Sequence, residues 1–179
     1  VLLICYVGSL SFAALLVCAA AILAQEWTRL VGNGLDGQRD VLLLVTTLVV
    51  ALVAGAFAHW SLALVLLVVG SAVAWVASGG ERWYAVGVLV LGMPLLALLA
   101  LRAMPDSGRF LLFWMVATLW AFDTGAYLSG RAIGGPKLAP RVSPNKTWAG
   151  VLGGTLSAAA VGAIAAWIAG NAPVLPLSA

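Results

Sequence analysis

The chain has 179 residues, of which nine are Lys or Arg and six are Asp or Glu. Charged side chains make up 8% of it and apolar ones 64%, against about 25% charged in an ordinary soluble domain. So much apolar surface cannot be hidden in one soluble fold of this size, which excludes a soluble globular domain, a disordered chain and a disulfide-rich secreted module. The long runs are apolar on all sides rather than alternating, so they are helices and not barrel strands. The expected fold class is all-α, a polytopic helical membrane protein.

About 20 apolar residues, rising 1.5 Å each, cross about 30 Å of hydrocarbon. Six runs meet this requirement, near 1–23, 41–58, 61–77, 84–101, 110–128 and 148–170. The first begins at Val1 with no basic flank and no small-residue cleavage site after it, so it reads as a span and not a signal peptide, with the N-terminus cut. Cys5 and Cys18 share that run but not a helix face, and read as small packing residues. Glu26, beside Trp27 at its end, is placed to meet a cation. Asp36, Arg39 and Asp40 read as solvated loop charges. Runs two and three are joined only by His59 and Trp60, which predicts a tight helical hairpin with His59 at the interface.

Lys and Arg counts orient the spans. Loops one, three and five share a side and carry seven: Arg29, Arg39, Arg82, Arg131, Lys137, Arg141 and Lys146. Loops two and four carry two, Arg102 and Arg109. Loop five is therefore expected to be cytoplasmic. Trp27, Trp60, Trp83 and Trp148 fall near span ends, where amphipathic rings prefer to sit. Trp75, Trp114, Trp120 and Trp167 lie inside runs and are expected to pack between helices. The last span has a small residue at every fourth position: Gly150, Gly154, Ala158, Gly162, Ala166 and Gly170. That stripe suits close packing on another helix or a subunit interface, and leaves a homodimer open.

One stretch departs from the rest. Asp123 is the only acidic residue inside a predicted span, where a carboxylate costs about 2.5–3.5 kcal/mol unless it meets a cation, a metal or water. Tyr127 is four residues on and shares its helix face. Gly125 and Gly130 let another backbone or a ligand come close. Loop five then supplies cations and no anion. Pro136, Pro140 and Pro144 exclude a regular helix there, and Gly134 and Gly135 permit tight turns. Lys137, Arg141 and Lys146 are placed to converge with Ser143 and Thr147 on a polyphosphate, next to the N-terminus of the last span, a natural anion site. The plainer alternative is a positive loop at the lipid headgroups.

The run Asp123-Thr-Gly-Ala-Tyr127, then Gly130-Arg131, then Lys137-Leu-Ala-Pro-Arg-Val-Ser-Pro-Asn-Lys-Thr-Trp148, then Gly150 and Gly153-Gly154, closely resembles the phosphatidate cytidylyltransferase (CDP-diacylglycerol synthase) family. A weaker likeness lies in Glu26-Trp27 and in Leu98-Leu-Ala-Leu-Arg102. Ala149 stands where many members carry an acidic or amide residue. The family's later signature, a Lys-Arg and Lys-Asp stretch, then His-Gly-Gly, then Asp-Arg-x-Asp, does not occur in this sequence. The resemblance implies that it follows Ala179 with further spans. Residues 1–109 would then be N-terminal transmembrane helices, about four spans. Residues 110–179 would open the catalytic membrane domain, with two spans and the cationic loop 129–147, incomplete at its C-terminus.

The resemblance implies a reaction of phosphatidate with CTP that yields CDP-diacylglycerol and pyrophosphate, at the cytoplasmic face of a bacterial inner membrane. It implies CTP, phosphatidate and membrane lipid as partners, no nucleic acid, and Mg²⁺ or another divalent cation as cofactor. Asp123 would ligate or position the metal and, with Lys146, be catalytic. Lys137 and Lys146 would contact CTP or pyrophosphate, and Arg141 the nucleotide or the lipid phosphate. Ser143 and Thr147 would donate to phosphate or brace the loop, and Tyr127 would line the cavity. Alone, the fragment is expected to be inactive. One alternative is a CTP-dependent polyprenol or phytol kinase, which releases CDP instead of pyrophosphate. Another is a transporter, which needs polar residues through several spans. The few present, Thr46, Thr47, Ser71, Thr118 and Thr155, are readily bonded to backbone carbonyls.

Overall fold

The computed structural model describes residues 9–31, 37–105, 107–141 and 143–171. Cys5, Asp36 and the segment 172–179 lie outside the described residues. The elements are α1 (Ser9–Val31), α2 (Gly37–Ala56), α3 (Trp60–Ala77), α4 (Arg82–Ala103), α5 (Gly108–Ala132), β1 (Lys137–Ala139), β2 (Ser143–Thr147) and α6 (Trp148–Asn171). All six helices are long and apolar enough to cross a membrane, and the chain is a polytopic helical membrane protein. It divides into two compact units, Val1–Ala103 and Met104–Ala179.

The first unit is a four-helix assembly held by one apolar stripe per helix. On α1 the stripe is Phe12, Leu16, Ala20 and Ala24, all buried at four-residue spacing. Leu44, Leu48 and Leu52 on α2, Ala63, Leu67 and Ala74 on α3, and Val88, Leu95 and Leu99 on α4 complete the interior. Lipid is as apolar as leucine, so such packing rests on close approach rather than expulsion of water. Glycine supplies it at Gly92, where an added Cβ would lie 3.0 Å from Leu67 Cδ1 and 3.1 Å from Leu48 Cδ2. The second and third spans do form a tight hairpin, turned through Ala58 at φ 62° and His59.

Three details of this unit differ from the sequence expectation, the first being that Arg39 and Asp40, read as loop charges, lie in the first turn of α2. The first helix does not stop near residue 23 but runs on to Val31. Its last turns are held by polar contacts that hydropathy does not register. Arg29 Nη1 donates to Glu26 Oε1 at 2.9 Å, Thr28 Oγ1 donates to the Gln25 carbonyl, and Trp27 Nε1 donates to the Trp83 carbonyl at 3.0 Å, tying α1 to α4. Trp75 does not pack between helices either. It is 51% exposed near the end of α3, and its Nε1 donates to the Gly80 carbonyl across the α3–α4 turn. Thr47, Thr118 and Thr155 each donate to a backbone carbonyl of their own helix, and Ser71 donates to the Ala85 carbonyl of α4.

In the second unit α5 and α6 pack along the small-residue stripe. An added Cβ at Gly154 would lie 2.8 Å from the Phe122 carbonyl oxygen, and one at Gly150 would lie 3.0 Å from the Ala126 carbonyl. At Gly153 it would collide with the Ser129 side chain, and at Gly125 it would meet Ser157 and, at 2.8 Å, the Gly153 carbonyl. The stripe therefore seats one backbone on another within the chain. Towards Gly162 the helices spread, the nearest atom being Trp114 Nε1 at 3.9 Å. Trp114 instead meets Phe110, ring centroids 5.9 Å apart. Trp120 and Trp167 are exposed in this unit.

Candidate functional site

The segment between α5 and α6 is a built element. Gly134 and Gly135, at φ 67° and 93°, take the left-handed backbone that reverses the chain after α5. β1 and β2 then pair antiparallel, Lys137 with Thr147 and Ala139 with Ser143, with an irregularity between the two pairs. The Trp148 N–H donates to the Pro136 carbonyl at 3.1 Å and closes the base of the hairpin. Sequence reasoning excluded a helix here on its prolines but did not foresee a ribbon. Its pairing is set by contacts four to twelve residues apart, which local propensity does not report.

Thr147 is the pivot of this element. It is buried, and its Oγ1 accepts the Gly150 N–H at 3.1 Å, the geometry of an N-cap on α6. Of the two roles expected for Thr147, the structure shows the bracing one. It also narrows the anion-site expectation for the start of α6. A helix N-terminus leaves four N–H groups open, and those of Trp148 and Gly150 already have partners.

The other hairpin candidates face outward. Lys137, Arg141 and Lys146 are exposed, and Ser143 is half-buried. Side chains alternate along a strand, so Lys146 is turned to the ribbon face opposite Thr147. Arg141 lies at the turn. The three cations are thus distributed over the hairpin rather than gathered at one point. Their side chains have neither an ion-pair nor a hydrogen-bond partner among the described residues.

Asp123 lies nine residues before the end of α5, about 14 Å along the axis. Its carboxylate is exposed in this unit and lacks a partner among the described residues. Gly125 and Gly130 both face α6; round the helix Gly125 is about 200° from Asp123 and Gly130 only about 20°, so Asp123 lies at the edge of the α5–α6 seam. Tyr127 follows one turn later on the Asp123 face, and Arg131 one turn after that. Arg131 Nη1 donates to Tyr127 Oη at 2.9 Å. In the sequence Arg131 counts as a loop charge and as part of the Gly130-Arg131 motif, with no role at the site. Its four-residue spacing from Tyr127 was the available signal, hidden because the span was expected to end at 128 while α5 continues to Ala132.

No group of three or more His, Cys, Asp or Glu residues is poised to hold a metal among the described residues. Asp123 is therefore a single carboxylate donor. That suits a hard cation such as Mg²⁺, which commonly takes one or two carboxylates, water and substrate phosphates. It does not suit a closed metal cage. No hydrogen bond or ion pair links the α5 stripe of Asp123, Tyr127 and Arg131 to the hairpin cations among the described residues.

The cytidylyltransferase family model matches residues 1–179 of this sequence. A phosphatidate cytidylyltransferase of Brucella suis biovar 1 (strain 1330) is 35% identical over 167 residues, covering 90% of this chain and 60% of its own length. The enzyme of that name from Haemophilus influenzae is 56% identical over 54 residues, 30% of this chain and 19% of its own. That from Rickettsia felis is 36% identical over 83 residues, 46% of this chain and 36% of its own. The chain thus spans about 60% of the length of the Brucella relatives it matches. No solved structure matches it.

Proposed function

Since this chain belongs to the cytidylyltransferase family, we propose that it is the larger part of a membrane phosphatidate cytidylyltransferase, converting phosphatidate and CTP into CDP-diacylglycerol and pyrophosphate. The observation that carries the reading is a juxtaposition within one unit. Asp123, the single carboxylate of α5, stands on the helix leading into a hairpin that presents Lys137, Arg141 and Lys146 with no acid beside them.

The chemistry asks for this pairing. A phosphate oxygen of phosphatidate attacks the α-phosphorus of CTP. A new P–O bond forms, the bond from the α-phosphorus to the oxygen bridging to the β-phosphorus breaks, and pyrophosphate leaves with that electron pair. A phosphomonoester is largely ionised near neutral pH, with a second pKa of about 6, so no strong base is needed. The obstacle is bringing one anion onto another, which calls for positioning and fixed positive charge. Lys137 and Lys146 engage the nucleotide phosphates, and Arg141 at the hairpin turn meets the nucleotide or the lipid phosphate. Ser143 supplies a neutral donor, and Thr147 fixes where β2 ends and α6 begins. Asp123, with Tyr127 lining its face, would hold Mg²⁺, which when bound neutralises phosphate charge.

The Lys and Arg distribution supports a cytoplasmic hairpin, where dissolved CTP and a lipid can meet; a bacterial inner membrane as its setting rests on the family resemblance alone. In the full-length protein, Asp123→Asn and Lys146→Ala should each remove most CTP-dependent turnover, measured as radiolabelled CDP-diacylglycerol, while leaving the protein in the membrane. Near-normal activity in both would sink the proposal. Release of CDP in place of pyrophosphate would favour the lipid-kinase alternative.

A further inference from the structure

The second unit carries cations at two depths. From Ser107 onward the sequence has one acid, Asp123, against Arg109, Arg131, Lys137, Arg141 and Lys146. The last three stand on the hairpin, outside the span. Arg131 is different. It lies in the last turn of α5, inside the membrane-spanning helix Gly108–Ala132. Its neighbours Leu128 and Ile133 are apolar and 58% and 74% exposed. An anion reaching Arg131 therefore arrives beside exposed apolar side chains, at the end of the helix.

Arg131 is also pre-set. Its Nη1 is spent on Tyr127 Oη at 2.9 Å, which fixes the plane of the guanidinium and leaves the other N–H groups for a bidentate phosphate contact. A cation that merely complements the helix C-terminus needs no such tether. Tyr127 and Arg131 continue the Asp123 face by successive turns, so the held guanidinium and the carboxylate lie about 12 Å apart along one side of α5.

Taking cytidylyl transfer as the activity of the whole protein, we propose that Arg131 binds the phosphate of the lipid substrate and that Tyr127 is its positioning residue. The hairpin cations then serve the dissolved nucleotide, and the two substrates are sorted by depth along α5 and the hairpin.

The test is steady-state kinetics of the full-length enzyme in mixed micelles, varying phosphatidate mole fraction and CTP separately. Arg131→Gln should raise the phosphatidate KM by about tenfold or more, the scale of a lost charge-assisted bond, and leave the CTP KM within about twofold. Arg131→Lys, which keeps the charge, should recover part of the loss. Tyr127→Phe should raise the same KM by less, and the double variant should be no worse than Arg131→Gln alone, because the tyrosine acts through the arginine. An unchanged phosphatidate KM, a rise confined to CTP, or equal rises in both would overturn the assignment while cytidylyl transfer by the parent enzyme stands. A parent enzyme with no CTP-dependent product would remove the activity reading itself, and this assignment with it.

Discussion

The close approach of α6 to α5 at Gly154 gives a prediction that can be worked from its geometry. Gly154 and Gly162 sit on the same stripe of α6, two turns apart. A Cβ at Gly154 would stand 2.8 Å from the Phe122 carbonyl oxygen, 3.0 Å from Ala126 Cβ and 3.1 Å from Phe122 Cδ2. A Cβ at Gly162 meets nothing nearer than Trp114 Nε1 at 3.9 Å. The carbonyl at Gly154 is part of α5 and cannot swing aside, so α5 and α6 must separate by about half an ångström. Overpacking of this kind costs about 1–3 kcal/mol. Both substitutions to alanine also gain up to about 1 kcal/mol of helix propensity, which cancels in the comparison. Gly154→Ala should therefore be about 1–3 kcal/mol less stable than Gly162→Ala. The assay is reversible unfolding of the full-length protein in mixed micelles, followed by circular dichroism against denaturant mole fraction. A difference below about 0.5 kcal/mol would refute the seating of one backbone on the other.

Three further outcomes are expected. Thr147→Ala should lower stability by about 0.5–2 kcal/mol through loss of the α6 cap, and Thr147→Ser should restore most of it in the same unfolding assay. Equal losses in both would mean that the hydroxyl is not what Thr147 contributes. In the first unit Leu67, 1% exposed between α2 and α4, should cost about 2 kcal/mol as Leu67→Ala. That is the low end of the range for soluble cores, because lipid replaces water as the alternative surrounding. Chelation of divalent ions should abolish CTP-dependent turnover of the full-length protein and added Mg²⁺ should restore it, read as pyrophosphate release. Full activity in excess chelator would remove the metal role proposed for Asp123.

The number and kind of spans were legible in the sequence because hydrocarbon leaves a chain little choice. Every backbone polar group must be satisfied within the segment, so an apolar run of sufficient length is a helix wherever it packs. The alternation of Lys and Arg between loops, the small-residue stripe of α6 and the isolation of Asp123 were likewise visible, since each is a property of position along the chain. The end of α1 was misplaced because Glu26, Trp27 and Arg29 lower the hydropathy of turns that their own contacts hold helical. What the stripe packs against was open, because a row of glycines records that something comes close and not what. The tertiary structure supplied α5, and with it the direction of the Asp123 face. It also turned the proline-rich loop into a ribbon, buried Thr147 as a cap and tied Arg131 to Tyr127. The ribbon, the burial of Thr147 and the direction of the Asp123 face depend on residues that meet only after α5, the hairpin and α6 have folded together, whereas the Tyr127–Arg131 bond lies within α5. In this chain the membrane wrote the spans into composition, while the seating of α5 on α6 and the pairing of the hairpin between them were decided by packing.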